Sequence, residues 1–173
     1  MSMDLLTQSE LKYLSRQDQQ FIVAFNNAMN HFGYDYGGKI EKGYCWGRHM
    51  LIYRKTDAGS KQVYARLYLR ESGSVLRLYL NNLNDHRVYL EHSPDHIKDV
   101  FIGPHGDCQH CHNEKDGGCR FRKTYTLNGR VFEKCNGIVF EFPNPTVEKL
   151  LDYQALFLEF YPNRGKAIQL NKT

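Results

Sequence analysis

Apolar residues recur with helical spacing near both ends of the chain and with strand spacing between them. Phe21, Ile22, Phe25, Ala28, Met29 and Phe32 form a 3.6-residue stripe that stops at Gly33, a residue suited to a left-handed C-terminal cap. Ser15 with Asp18, and Thr7 with Glu10 upstream, have capping-box spacing and predict two N-terminal helices. A second stripe, Val147, Leu150, Leu151, Phe157, Leu158 and Tyr161, predicts a helix over 144–161, capped by Asn144, started by Pro145 and stopped by Pro162.

Between these helices, Tyr44 to Lys55, Gln62 to Arg70 and Ser74 to Leu80 alternate with a period of two and are rich in Val, Ile, Leu and Tyr. The connections carry Asp57, Gly59 and Ser60, then Glu71, Ser72 and Gly73, so the three read as an antiparallel meander. Asn84 to Phe101 reads as mostly helical, with Ser93 as a cap and Pro94 in the first helical position. Asn128-Gly129, between Lys123 to Leu127 and Arg130 to Lys134, signals a hairpin closed by a type I′ turn. The fold expected is α+β in one domain, 1–173: N-terminal helices on a twisted antiparallel sheet, a helical segment, a zinc-bound hairpin appendage at 103–137 and a C-terminal helix.

At 173 residues, roughly 70% of the unfolded chain's surface can be buried, so no metal is needed merely to fold. Met1 to Glu10 lack a basic region followed by an apolar core, and no apolar run approaches the roughly 20 residues that span a bilayer; a cytoplasmic protein with no membrane partner is expected. The net charge of +4 is uneven. Residues 39 to 90 hold ten Lys/Arg against four Asp/Glu, so an anionic partner would meet the middle of the chain.

Four of the five cysteines crowd into 28 residues, which suits metal ligation in a reducing compartment better than a disulfide framework. Cys108 and Cys111 have the spacing at which one tight turn aims two thiolates at a tetrahedral ion. Cys119 follows Gly117-Gly118, whose freedom lets the chain curl, and Cys135 returns along the hairpin. Pairing Leu127 with Arg130 sets Cys135 opposite Arg122, three residues past Cys119. A structural zinc closed by all four thiolates is expected, with an iron–sulfur cluster or simply buried cysteines as alternatives. His105, His110 or His112 would serve the same ion in a three-cysteine site; the plainer role for each is solvation or a supporting hydrogen bond. Cys45, the odd cysteine, shares a strand face with His49 at too great a distance for activation and is expected to be buried and structural.

The same alternation sets Tyr64, Arg66, Tyr68 and Arg70 on one sheet face and brings Arg77 and Tyr79 beside them. Such a face stacks bases on tyrosine and neutralises phosphates with guanidinium, which admits nucleic acid or an anionic small ligand as partner. The same residues also suit a half-wet sheet through cation–ring contacts, and no spacing here matches an RNA-binding signature. No phosphate loop, nucleophile elbow or paired-histidine helix is present.

The run Cys108-Gln109-His110-Cys111, then Cys119, Thr124 to Gly129, Lys134-Cys135 and Phe140 to Pro145 resembles a family of uncharacterised cytosolic bacterial proteins, mainly from Firmicutes, over about residues 44 to 161. The resemblance implies the four-cysteine zinc module and brings no activity with it. The N-terminal helices and Tyr/Arg sheet are loosely similar to small bacterial iron-chaperone and double-wing DNA-binding domains, a likeness of fold only. The reading that follows is a zinc-stabilised, non-enzymatic binding or regulatory domain of unknown function. The alternatives are a small-ligand receptor or enzyme with a pocket between the sheet and the N-terminal helix, and a protein-interaction module that uses the hairpin edge.

Overall fold

Ser15 starts helix α1 (Arg16–His31) as its spacing implies: its hydroxyl accepts from the Asp18 amide at 3.0 Å and donates to the Asp18 carboxylate at 2.6 Å. The second Asp18 oxygen accepts from the Ser74 amide at 3.0 Å, so this buried carboxylate also ties the helix to a sheet turn. Gly33 ends the helix with φ at +86°. The computed structural model describes Leu5 and residues 8–56, 59, 61–111 and 119–162. Of the expected first helix, the described residues show one 3-10 turn, Ser9–Leu11, and Thr7 lies outside them.

Strands β1 (Tyr34–Asp35), β2 (Glu41–Lys42), β3 (His49–Lys55), β4 (Ala65–Leu69) and β5 (Val75–Tyr79) follow, then helices α2 (Arg87–Glu91) and α3 (Asp95–Ile102). Strands β6 (Arg122–Leu127) and β7 (Arg130–Cys135) form a hairpin, and β8 (Val139–Pro143) precedes helix α4 (Leu150–Phe160). The main sheet is antiparallel, in the order β1-β3-β4-β5-β8, with β2 also on β3. The meander is present, but its first strand begins at His49. Residues Tyr44–Trp46 form a 3-10 turn because the backbone closes on itself: a Cβ on Gly43 would lie 2.2 Å from the Gly47 carbonyl oxygen. Strand β8 was not among the expected elements, although Val139 and Glu141 alternate with Phe140 and Phe142.

One sheet face carries Leu51, Tyr53, Ala65, Leu67, Leu69, Leu76 and Leu78, all 0% exposed. Phe21, Ile22, Phe25 and Met29 of α1 and Tyr153, Leu156 and Phe157 of α4 belong to the same core. Each such aliphatic or aromatic side chain contributes about 1.5–3 kcal/mol by leaving water. Space between the sheet and α1, where a ligand pocket was one alternative, is occupied by these side chains.

Two helix starts differ from expectation. The segment 84–101 breaks at Ser93-Pro94, where the Ser93 hydroxyl donates back to the Tyr89 carbonyl at 2.8 Å and α3 begins at Asp95 without a side-chain cap. Asn144 does not cap the last helix. Its φ is +47°, its amide donates to the Ser74 carbonyl at 2.9 Å, and its side chain packs on Gly73, so it fastens the β4–β5 turn. A 3-10 turn at Val147–Lys149 intervenes before α4, and Leu151 of the expected stripe is 74% exposed.

The hairpin forms in the expected register, Leu127 with Arg130 and Arg122 with Cys135, around Asn128 at φ +49° and Gly129 at φ +73°. It is firmly docked: Tyr125, Leu127 and Phe132 join the main core, and the Tyr125 hydroxyl donates to the Phe101 carbonyl at 2.6 Å. At the turn end of the hairpin's outer edge, Asn84 Oδ1 accepts from the Thr126 amide at 3.0 Å and Glu91 Oε1 from the Asn128 amide at 2.7 Å. No helix among the described residues is long and apolar enough to cross a membrane.

Candidate functional site: the cysteine knuckle and the tyrosine–arginine layer

Residues 106–108 lie along the free edge of β7. The Cys108 amide donates to the Glu133 carbonyl at 2.9 Å, the Cys135 amide to the Gly106 carbonyl at 2.7 Å, and Asp107 bridges to Lys134 in antiparallel sense. That register sets Cys108 opposite Glu133, so Cys108 and Cys135 are diagonal neighbours on one face, a relation that strand geometry puts at about 7–8 Å. Cys119 enters from the other side: its carbonyl accepts from the Arg122 amide at 3.1 Å, and Arg122 is the cross-strand partner of Cys135. All four are free thiols, Cys108 and Cys119 half-buried, Cys111 and Cys135 exposed. Among the described residues no three His, Cys, Asp or Glu side chains are gathered closely enough to hold an ion. The Gly117-Gly118 curl and His112 lie outside the described residues.

Lys134, which the sequence reading did not single out, fixes this arrangement from the opposite face of β7. It is 2% exposed, and its ammonium donates to the Gly103 carbonyl, the His105 carbonyl and Asp107 Oδ1. Three N–H groups meet three acceptors, which is what a buried ammonium requires. Gly103 is the C-cap of α3 and His105 lies in the loop beyond it, so one side chain binds the helix end, the knuckle loop and the hairpin together. A polar residue in register with buried Phe132 and Tyr125 was the available signal.

His110 is engaged by other groups: Nε2 lies 2.8 Å from Glu133 Oε2 and Nδ1 2.9 Å from an Arg122 nitrogen. His105 is exposed, with Nε2 3.6 Å from Glu141 Oε2. Cys45 departs from its expected place. It sits exposed on the 3-10 turn, not buried on a strand, because that turn leaves the sheet before β3 begins. His49 instead faces Tyr13, whose hydroxyl is 3.2 Å from Nδ1.

The tyrosine–arginine residues form a closed layer more than an open surface. Arg77 is 8% and Tyr68 1% exposed. Glu141 on β8 pairs with Arg77, and the Arg77 guanidinium stacks 4.4 Å from the Trp46 ring centre and 4.9 Å from that of Tyr68. Burial works against the charge on Arg77, and the Glu141 carboxylate offsets it, leaving its pKa raised. Arg66 donates to the Tyr68 hydroxyl at 3.3 Å and lies over Tyr79 at 5.6 Å. Arg70 Nε donates to the Trp46 carbonyl. Tyr64 leaves the layer: it precedes β4 and packs edge-on against Tyr34 and Tyr161, at the core side. Trp46 and Glu141, which close the layer, were missed because both arrive from distant parts of the chain. No family model, curated protein or solved structure matches this chain.

Proposed function

We propose that this chain is a zinc-binding domain in which Cys108, Cys111, Cys119 and Cys135 hold one structural ion and the protein acts by binding and not by catalysis at the metal. The observation that carries the reading is the pairing of 106–108 with β7, which makes Cys108 and Cys135 neighbours on one face, with Cys119 one turn from the cross-strand partner of Cys135. Four thiolates suit the soft, tetrahedral preference of zinc, and a fully thiolate-bound ion has no open position for a substrate or an activated water. Its contribution would be to tie the Cys108–Cys111 turn to the hairpin, with ligand deprotonation coupled to binding. The tyrosine–arginine layer does not extend this to nucleic acid, because the Arg66 and Arg77 guanidinium groups at its centre already serve Glu141, Tyr68 and Tyr79.

Metal analysis of protein purified without chelator tests the proposal. One zinc per chain is expected, lost in Cys135→Ser and retained in Cys45→Ser. Wild-type protein devoid of zinc, or a Cys135→Ser variant with its zinc intact, would overturn it.

A further inference from the structure

A second feature, independent of the cysteines, lies where α3, β8 and the loop Gly103–His105 meet the start of α4. There the surface opens into a pocket of about 610 Å³, within the range of small-molecule sites. Its floor is apolar, from Val100, Phe142 and Tyr153. Its polar groups keep donors unspent, Arg70 being shared with the tyrosine–arginine layer. The Lys149 ammonium and the Tyr153 hydroxyl make no hydrogen bond or ion pair to any described residue, and Arg70 uses only its Nε. His96 Nε2 is a buried nitrogen 3.0 Å from Asp152, but without the alignment of a hydrogen bond.

The acids of the lining do not balance these donors. Glu141 is already neutralised by Arg77 beneath it, and its second oxygen faces His105 at 3.6 Å. Asp99 is exposed on the α3 surface at the rim. Burial holds the Tyr153 phenol up to about 12, so it offers a proton to a ligand and cannot act as an anion itself. An apolar floor under lysine, arginine and phenol donors recognises a flat apolar body that carries one negative group.

We propose that this pocket binds small organic anions of the aromatic-carboxylate type, with Lys149 and Arg70 taking the carboxylate and Phe142 and Val100 the ring.

The test is fluorine NMR with 4-fluorobenzoate as probe, with 4-fluorobenzylammonium as the control of opposite charge. Wild-type protein is expected to bind the benzoate and not the ammonium. Lys149→Glu, a substitution at a half-exposed position, should weaken benzoate at least tenfold, and Val100→Trp should abolish it by filling the floor without changing charge. Thermal melting of each variant reports that it is folded. Equal binding of both probes, benzoate affinity unchanged in Lys149→Glu or in folded Val100→Trp, or no benzoate binding up to about 10 mM would overturn the proposal.

Discussion

Arg66 and Arg77 sit directly opposite each other on β4 and β5, a like-charge cross-strand pair that is ordinarily unfavourable. Two neighbours make it acceptable. Glu141, the partner of Arg77 on its other side, supplies the opposite charge, and the Tyr68 hydroxyl accepts from both guanidinium groups, at 3.3 and 3.2 Å. Arg77 and Glu141 are both largely shielded from water, with side chains 10% and 16% exposed. Arg77→Ala should therefore leave the largely shielded Glu141 carboxylate without its guanidinium and cost about 3 kcal/mol in urea unfolding. Arg66→Ala, which removes no partner of a buried acid, should cost far less. Alternation correctly placed Arg66, Tyr68, Arg77 and Tyr79 on one face, because a pleated chain has no other choice. It could not show that the face is covered, since Trp46 and Glu141 reach it only through tertiary pairing.

At the scale of elements, the hairpin was the most legible part of the chain. Asn-Gly permits the two positive φ values of a type I′ turn, and a two-residue loop leaves a single register, so the Arg122–Cys135 pairing followed from the residues alone. The knuckle's own placement was not legible. It depends on Lys134, a buried charge whose acceptors are two carbonyls and a carboxylate from the loop after α3. Lys134→Met should free those acceptors, and with Asp107 partly exposed the loss should be about 1–3 kcal/mol. With the proposed zinc bound, the same substitution should weaken its retention against a chelator while leaving stoichiometry at saturating zinc unchanged. Loss of stability without any change in retention would separate the clamp from the metal. Helix α1 was legible for a different reason: its apolar stripe, its capping serine and its terminal glycine all agree. The start of α4 was not, because Asn144 serves the β4–β5 turn, a use that its helix-capping appearance conceals.

At the scale of the whole molecule, the core gathers many phenols, and their titration gives the fold a defined alkaline limit. Burial pushes Tyr13, Tyr153 and Tyr161 up to about 12, against about 10 for the same groups in an unfolded chain. Between those values the folded chain keeps protons that the unfolded chain releases. Stability from these groups is thus complete below about pH 10 and is lost as the pH rises through about 12. The melting temperature should fall across that window, and the tyrosinate absorbance of these three residues, isolated by difference from Tyr→Phe variants, should appear together with unfolding and not before it. Early, independent ionisation of these tyrosines would show that they are accessible in the native state.

The occupied end of the β6 edge has one further consequence. With Asn84 and Glu91 holding the Thr126 and Asn128 amides, the turn end of the β6 edge is closed to an added strand. At that same end an added strand would have to come along β7, where the backbone beyond the knuckle runs past Val131, 60% exposed, toward the turn.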